Sequence, residues 1–263
     1  MEENKRSFIP DNPLTLPVIR EPASCCGGGD PAVDEVNSAA RLNQPFVSGS
    51  TPTPAGPAPT VTSVLTRQDR RGTIRARLGV FRMNYSIHPG LYALGIPDEQ
   101  SPVLVTANYK MSFDRLRNAL PNRDAWILVL DTKGINVWCA AGKGTFGTRE
   151  LIKRLDLSGL KNIVSHRKII LPQLGAPGIA AHQIRQSTGF TVHYGPVRAE
   201  DLPAYLDAGF KADQAMRRVT FPMGERAVLI PIELRATVKP FVFTSFVLLI
   251  LAGILGQDGF LAN

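Results

Sequence analysis

The residue best suited to chemistry in this sequence is Cys139, which lies in the segment Asn136-Val137-Trp138-Cys139-Ala140-Ala141-Gly142-Lys143-Gly144. The segment follows the apolar run AWILVLD at residues 125–131, whose composition predicts a buried strand. Open α/β sheets bind their ligands at the carboxyl ends of strands, so Cys139 is expected at a functional edge. The small residues beside it would let a broad, flat ligand approach the backbone closely.

Three other interpretations of this segment need to be weighed. Cys139 could be a small buried hydrophobe, which is a common role for a free cysteine. A phosphate-binding loop fails on spacing, because Val137 stands where Gly is needed and Gly144 stands where Ser or Thr is needed. A cysteine nucleophile would need a base beside it. Three histidines are candidates for that base, and no spacing singles one out: His166, His182 and His193.

The cysteine content limits the redox chemistry that the chain can perform alone. Its three cysteines cannot make a disulfide framework, and no CxxC pair is present for an iron-sulfur cluster or a zinc site. Any electrons must therefore come from another protein. The adjacent Cys25 and Cys26 could capture a thiophilic metal ion, although an incidental exposed pair is the favoured interpretation.

The net charge of +8 permits binding to nucleic acid or to an anionic membrane. The distribution of the basic residues favours a membrane partner over nucleic acid. A group of them precedes the one long apolar run, as expected for a cytoplasmic flank: Arg217, Arg218, Arg226, Arg235 and Lys239. A second basic cluster is interpreted as a solvated face: Arg67, Arg70, Arg71, Arg75, Arg77 and Arg82. Apolar residues interleaved with that cluster are expected to pack at the domain edge: Ile74, Leu78, Val80 and Phe81.

Strands alternate with helices along the middle of the chain. Apolar runs predict strands at residues 102–109, 125–131, 163–171, 191–194 and 227–234, and helical spacing predicts helices at 112–120, 148–155, 179–186 and 200–208. Short loops rich in Gly and Pro join them. This order predicts an α/β fold, a Rossmann-like parallel sheet with helices on both faces.

The chain divides into three regions. Residues 1–60 are rich in Pro and Gly and are predicted to be a disordered tail and linker. Residues 61–235 are predicted to form the α/β domain. Residues 239–263 contain the uncharged run FVFTSFVLLILAGIL, which predicts a transmembrane helix if neighbouring turns extend it to the roughly 20 residues that span a bilayer. A buried core helix is the alternative.

The segment around Cys139 resembles the cap helix of mercury-methylating corrinoid proteins, which are related to the cobalamin-binding domain of corrinoid iron-sulfur proteins. The similarity extends from IHPGLYALGIP near Ile87 through VLVTANYK, the cap segment and HRKIILPQLGAPG to VHYGPVRAEDLPAYL. The cap itself shows no departure from the pattern. That family carries several membrane helices, so the chain looks truncated after the first.

The resemblance implies a cobalamin cofactor with Cys139 as the lower axial ligand of cobalt. A thiolate presented at a helix start is favoured by the helix dipole and by the metal. Asn136 would be the N-cap of the helix, Trp138 would form an apolar wall, and Val137 is also assigned to cofactor binding. Lys143 would either contact a corrin side chain or phosphate, or remain solvated. The other residues assigned to cofactor binding are Thr106, Ala140, Ala141, Gly142, Gly144, Gly175, Pro177, Gly178, Gly195 and Pro196.

The implied function is a corrinoid-dependent methyltransferase that passes a methyl group from cobalt to Hg(II), forming methylmercury. Electron donation by Cys139 would let the methyl group leave with its bonding electrons. A folate-linked methyl donor and a ferredoxin-like iron-sulfur reductant are the implied partners, and the inner membrane, with a cytoplasmic corrinoid domain, is the implied location. The alternatives are a corrinoid methyl carrier of the acetyl-CoA pathway and a non-catalytic, membrane-anchored corrinoid-binding protein.

Overall fold

The computed structural model describes residues 41–80 and 82–255. Cys25 and Cys26, and most of the predicted tail, lie outside the described residues.

Seven strands form one mixed sheet with the order β1-β2-β3-β5-β4-β6-β7. The strands are β1 (Val47–Thr51), β2 (Ala58–Val61), β3 (Gly90–Leu94), β4 (Val103–Ala107), β5 (Ala125–Leu130), β6 (Lys168–Leu171) and β7 (Thr191–Tyr194). The four adjacent strands β5, β4, β6 and β7 run parallel to one another. Their carboxyl ends therefore share one edge of the sheet, where open α/β folds bind ligands.

Eight α-helices accompany the sheet in the described residues. They are α1 (Arg67–Arg77), α2 (Lys110–Asn118), α3 (Val137–Gly142), α4 (Thr148–Leu157), α5 (Ala181–Thr188), α6 (Leu202–Asp207), α7 (Met223–Ala227) and α8 (Ile230–Leu255). Leu151 of α4 and Ile184 of α5 are buried in one core cluster. Phe113 of α2 and Tyr205 of α6 are buried in a second cluster. The α/β class with helices on both faces is thus confirmed.

The prediction of a wholly parallel sheet is wrong at one side. β3 pairs antiparallel with β5, and β1 pairs antiparallel with β2. All five residues of β3 are buried, but its first residue, Gly90, belongs to a Pro-Gly pair, which is a pattern typical of turns. Local pattern does not fix the direction in which such a strand joins a sheet.

The predicted linker overlaps structured residues. β1 lies inside the predicted linker, and β2 begins inside it at Ala58 and includes Pro59. Ala58 and Val61 are buried, so this part of the chain does pack on the core. Proline is tolerated there because Pro59 is paired only with β1, whereas the pairing of β2 with β3 begins at Thr60.

The predicted strand at residues 227–234 is also wrong, because this segment is the end of α7 and the beginning of α8. Pro231 is compatible with the first turn of a helix, where no backbone N–H is needed. α8 has 26 residues, and it is long and apolar enough to cross a membrane by length and composition. None of its most apolar stretch is buried against the described residues.

Candidate functional site

A cavity of about 460 Å³ opens at the carboxyl edge of the parallel strands. It brings together five residues that the sequence assigned to cofactor binding, namely Thr106, Val137, Trp138, Gly195 and Pro196. They come from β4, from α3 and from the loop after β7, three elements that meet only in the folded chain. Its volume is in the range of ordinary ligand sites.

Helix α3 stands next to this cavity and carries Cys139. The side-chain oxygen of Asn136 accepts a hydrogen bond from the backbone N–H of Cys139 at 2.9 Å, so the predicted helix cap is confirmed. After the helix, the backbone N–H groups of Thr145 and Phe146 both donate to the carbonyl of Ala140, at 3.0 and 3.1 Å. The six-residue helix is therefore tied down at both ends.

The loop that leads into α3 is held by Asn108, a residue that sequence reasoning missed. Its buried side-chain oxygen accepts hydrogen bonds from the Thr132 backbone N–H at 3.0 Å, the Thr132 hydroxyl at 2.8 Å and the Gly134 backbone N–H at 2.9 Å. Asn108 follows β4, whereas Thr132 follows β5. The one side chain thus joins two strand ends at the base of the cap. Its position one residue beyond a buried strand was the signal that could have identified it.

Asp131 adds a charge at the same base. Burial by itself would raise the pKa of Asp131, but hydrogen bonds and the nearby charge from Lys133 outweigh it and hold the pKa below its usual value. Asp131 accepts from the Lys133 backbone N–H at 3.1 Å, and Lys133 has a positive φ of 59°. The carboxylate is therefore kept ionised and supports a tight turn before α3.

The predicted Gly175 and Gly178 have a different position from the one expected. They lie in the 3₁₀ segment Gln173–Gly178, which packs against α3, and neither glycine lines the cavity. A Cβ at Gly175 would lie 2.6 Å from the Phe146 ring, and one at Gly178 would clash with the Phe146 carbonyl and approach the Ala141 Cα at 3.3 Å. These glycines let the segment support the cap from behind; Pro177 lies between them, and Pro172 and Leu174 reach the cavity.

The cap residues differ in how much they face solvent. Cys139 is exposed, so the interpretation of Cys139 as a buried core residue is wrong. Trp138 is 64% exposed although it is large and apolar, and it lines the cavity. Ala140 and Ala141 are buried and hold α3 on the core. Gly142, Lys143 and Gly144 are exposed, and nothing lies within 4 Å of a Cβ built at either glycine.

The histidines suggested as partners for Cys139 are found elsewhere in the fold. His166 contacts the carbonyl of Ser101 at 2.9 Å and lines a different cavity, at the amino ends of β4, β5 and β6. His182 is exposed on α5. His193 lies in β7, where burial and the charge of Lys168 lower its pKa. The structure therefore brings no support for a cysteine nucleophile paired with one of these histidines.

Several charged residues of the cavity were not predicted. Arg115 of α2 lines it, as do Arg198, Glu200 and Glu225. Arg198 forms an ion pair with Glu225 at 2.7 Å and donates to the Thr220 hydroxyl at 3.0 Å. These contacts bring the segment before α8 over the cavity rim. They join residues more than 20 positions apart, and no local pattern in the sequence indicates such a contact.

The described residues contain no group of three or more His, Cys, Asp or Glu side chains that could hold a metal ion by themselves. The cap therefore offers a single soft donor, the thiol of Cys139, beside an accessible backbone and an apolar indole.

Comparison with known proteins adds a family relationship. Residues 81–206 match the family described as CO dehydrogenase/acetyl-CoA synthase delta subunit. The gamma subunit of the acetyl-CoA decarbonylase/synthase complex of Methanopyrus kandleri is 33% identical over 124 residues, which cover 46% of this chain and 26% of that protein. The corresponding subunit of Methanocaldococcus jannaschii is 35% identical over 127 residues, covering 48% of this chain and 26% of the subunit.

The chain thus spans about a quarter of the length of these relatives. The matched residues 81–206 include the strands β3 to β7, the cap helix and most of the residues that line the cavity. These relatives are named for acetyl-CoA chemistry and not for mercury. About half of this chain is therefore homologous to subunits of acetyl-CoA decarbonylase/synthase complexes.

Proposed function

We propose that the α/β domain binds a corrinoid at the carboxyl edge of its sheet and takes part in methyl transfer, with Cys139 as the protein ligand of cobalt. The observation that carries this proposal is an exposed thiol on a capped helix beside the 460 Å³ cavity. The relationship to acetyl-CoA decarbonylase/synthase subunits supports it. So does the cap segment, which resembles that of corrinoid proteins.

The residues fit a corrinoid in two respects. First, a thiol is a soft donor, and cobalt is a metal that accepts such ligands. Second, the free space at Gly142 and Gly144 leaves the backbone open to a flat macrocycle. When bound, a corrinoid would supply a cobalt centre that accepts and releases a methyl group.

Each cap residue then has a defined task. Asn136 fixes the first turn of α3 and so the position of Cys139, while Trp138 provides an apolar wall on the cavity side. Arg115 and Arg198 are placed to receive amide or phosphate groups at the periphery of the ligand. Lys143, exposed at the end of the cap, is a further candidate for such a contact.

The relatives favour a methyl carrier of one-carbon metabolism, which would hand the methyl group to an acetyl-CoA-forming partner. A second candidate is transfer to Hg(II). It is favoured by the exposed Cys139 within the cap motif, because thiolate donation increases the electron density at the metal and suits transfer to an electrophilic acceptor. In both cases the methyl donor is folate-linked, and a ferredoxin-like protein supplies electrons.

The location proposed for the protein is the inner membrane, with the α/β domain on the cytoplasmic side. α8 is exposed along its apolar stretch, whereas the core helix of a soluble protein would be mostly buried. The basic residues that precede it agree with a cytoplasmic flank.

The test uses the full chain in detergent, loaded with cobalamin, beside the Cys139→Ala and Cys139→Ser variants. The wild type is expected to show a visible spectrum typical of a thiolate-ligated corrin, and both variants are expected to lose it. Retention of the same spectrum by Cys139→Ala would exclude the ligand role. Incubation of the loaded protein with a folate methyl donor, a chemical reductant for cobalt and Hg(II) then separates the acceptors. The second candidate predicts methylmercury at a rate well above that of free methylated cobalamin and a loss of this excess in Cys139→Ala.

A further inference from the structure

Helix α1 presents an unusual outer surface. Its inner face is fixed by Asp69 and Ala76, which are buried. The opposite face follows a spacing of three or four residues and combines apolar with basic side chains: Arg67, Arg70, Arg71, Ile74, Arg75 and Leu78. Leu78 is the helix C-cap. We call this set the α1 outer face.

The apolar residues of the α1 outer face are not packed on the domain as the sequence predicted. Ile74 is 56% exposed and Leu78 is 44% exposed. Arg67, Arg70, Arg71 and Arg75 are exposed around them, and none of these four takes part in an ion pair within the described ranges. Exposed apolar side chains flanked by arginines are typical of helices that lie in a membrane interface.

The α1 outer face is located next to the beginning of α8. Arg235 of α8 donates a hydrogen bond to the Leu78 carbonyl at 3.0 Å. A Cβ at Gly79 would be 3.5 Å from the Arg235 side chain and 3.6 Å from Ile232. Phe241, where the uncharged run begins, is six residues after Arg235, which corresponds to about 9 Å along a helix. That distance is comparable to the headgroup layer, which is roughly 5–8 Å thick on each side of a bilayer.

Helix α1 is also held rigidly against the domain. Asp69 forms ion pairs with Lys110 at 2.7 Å and with Arg117 at 2.8 Å, both from α2. The Thr66 side chain and Asp69 form a capping box at the helix start. The outer face therefore has a fixed orientation relative to both the sheet and α8, so docking it would orient the cavity with respect to the membrane.

We infer that the α1 outer face is a docking surface for an anionic phospholipid membrane, against which it lies beside the membrane-entry point of α8. This inference rests on the proposed crossing of the membrane by α8. Arg67, Arg70, Arg71 and Arg75 bind lipid phosphates, while Ile74 and Leu78 enter the boundary between headgroups and acyl chains. The partner is identified by charge complementarity and by continuity with the apolar helix.

The experiment places the full chain in lipid nanodiscs and introduces Ile74→Trp as a depth probe. The discs contain phosphatidylcholine brominated near the top of its acyl chains, either alone or with about a third phosphatidylserine. The emission of the unsubstituted chain, with Trp126 and Trp138, is subtracted. Quenching of the added tryptophan is expected to be at least twofold stronger in the anionic discs.

A charge-removal series tests the arginines. Arg67→Gln, Arg71→Gln and Arg75→Gln, combined in the Ile74→Trp background, are expected to weaken docking by on the order of 100-fold, at about fivefold for each arginine. The matched control removes the same charge from exposed positions of α4 and α5 through Arg149→Gln, Lys153→Gln and Arg185→Gln. The control is expected to leave the quenching unchanged.

The outcomes separate this inference from the function proposed above. Incorporation into discs without quenching of the added tryptophan would overturn the docking surface alone, and failure to incorporate would overturn both the crossing by α8 and the docking surface. Equal quenching in neutral and anionic discs would overturn the role of the arginines. Tight binding of a 20-nucleotide RNA that is lost in the triple variant, with no quenching in any disc, would reassign the face to nucleic acid. Binding of cobalamin is independent of all four results.

Discussion

The side-chain oxygen of Asn136 accepts a hydrogen bond from the backbone nitrogen of Cys139 at 2.9 Å. The residue that caps α3 is therefore bonded directly to the residue proposed to bind cobalt. Because α3 has only six residues, the N-cap hydrogen bond of Asn136 contributes much of the stability of this helix. The position of the thiol thus depends on one amide side chain.

Replacing Asn136 by Ala should lower the free energy of unfolding by about 1 kcal/mol, since one backbone donor loses its partner. The affinity for cobalamin should fall with it, because Cys139 is no longer held in place. Asn136→Ser, which can still cap, should retain most of both. The measurements are thermal unfolding and a spectral titration with cobalamin. Equal cobalamin affinity in the Ala and Ser variants would show that the N-cap hydrogen bond of Asn136 does not position Cys139.

Asn108→Ala should lower the free energy of unfolding strongly, although Asn108 lies far from the cap helix in sequence. The backbone N–H groups of Thr132 and Gly134 lose their acceptor in a buried place, whereas the Thr132 hydroxyl can still donate to the Ile135 carbonyl at 2.7 Å. We expect a loss of about 2–4 kcal/mol in the free energy of unfolding, together with faster hydrogen exchange at residues 131–139. Asn118→Ala, at an exposed position at the end of α2, is the matched control and should have little effect.

Two glycines near the cap should respond in opposite ways to alanine. Gly178→Ala should destabilise the protein by about 1–3 kcal/mol, because the new Cβ would clash with the Phe146 carbonyl. Gly142→Ala should be neutral or stabilising by up to about 1 kcal/mol, since Gly142 is helical and nothing lies within 4 Å of the added atom.

Cobalamin binding provides a second readout for the same pair. If a corrin approaches the backbone at Gly142, the Gly142→Ala variant should bind it more weakly despite its intact stability. An unchanged affinity would place the macrocycle elsewhere, nearer to Trp138 and the cavity. Urea unfolding and a spectral titration on the same samples separate the two effects.

The parts of the fold that the sequence could indicate are those with strong local patterns. The runs at β4 and β5 are continuous and apolar, and Asn136 precedes a short helical segment. Both strands and the N-cap were therefore predicted correctly, although the predicted strands extend one or two residues past the observed carboxyl ends. The resemblance implied the cavity partners Thr106, Gly195 and Pro196, and their position agrees with the rule that parallel strands place their loops at one edge.

The remaining features depend on contacts between distant residues. The antiparallel pairing of β3 with β5 and the Arg198–Glu225 ion pair leave no periodic signature. The segment at residues 227–234 was predicted to be a strand, because a short apolar run has no clear period and can form either structure. Gly175 and Gly178 were predicted to bind the cofactor, but they pack around Phe146 instead, and a contact between such distant positions has no local signal in the sequence.

The proposed crossing of the membrane by α8 gives a prediction that is independent of the corrinoid site. Leu248→Arg places a charge near the middle of the apolar run of α8 and should oppose insertion by about 2.5–3.5 kcal/mol. The variant should shift from a carbonate-resistant membrane fraction toward the extractable one. Thr237→Arg, near the proposed headgroup level, is the matched control and should remain in the membrane.

The buried charges between α1 and α2 predict a specific acid sensitivity. Burial by itself would raise the pKa of Asp69, but hydrogen bonds from Lys110 and Thr66 outweigh it and hold the pKa well below its usual range. A lowered pKa in the folded state contributes stability that is complete above the unfolded value, near 3.9, and is lost as the pH falls below it. Asp69→Asn should therefore be less stable than the wild type at pH 7, and its stability should decline less steeply below about pH 4.

Unfolding midpoints in detergent between pH 3 and pH 7 measure both effects. Asp156→Asn, an exposed change on α4, should instead run parallel to the wild type. A decline just as steep in Asp69→Asn would mean that other carboxylates control the acid transition.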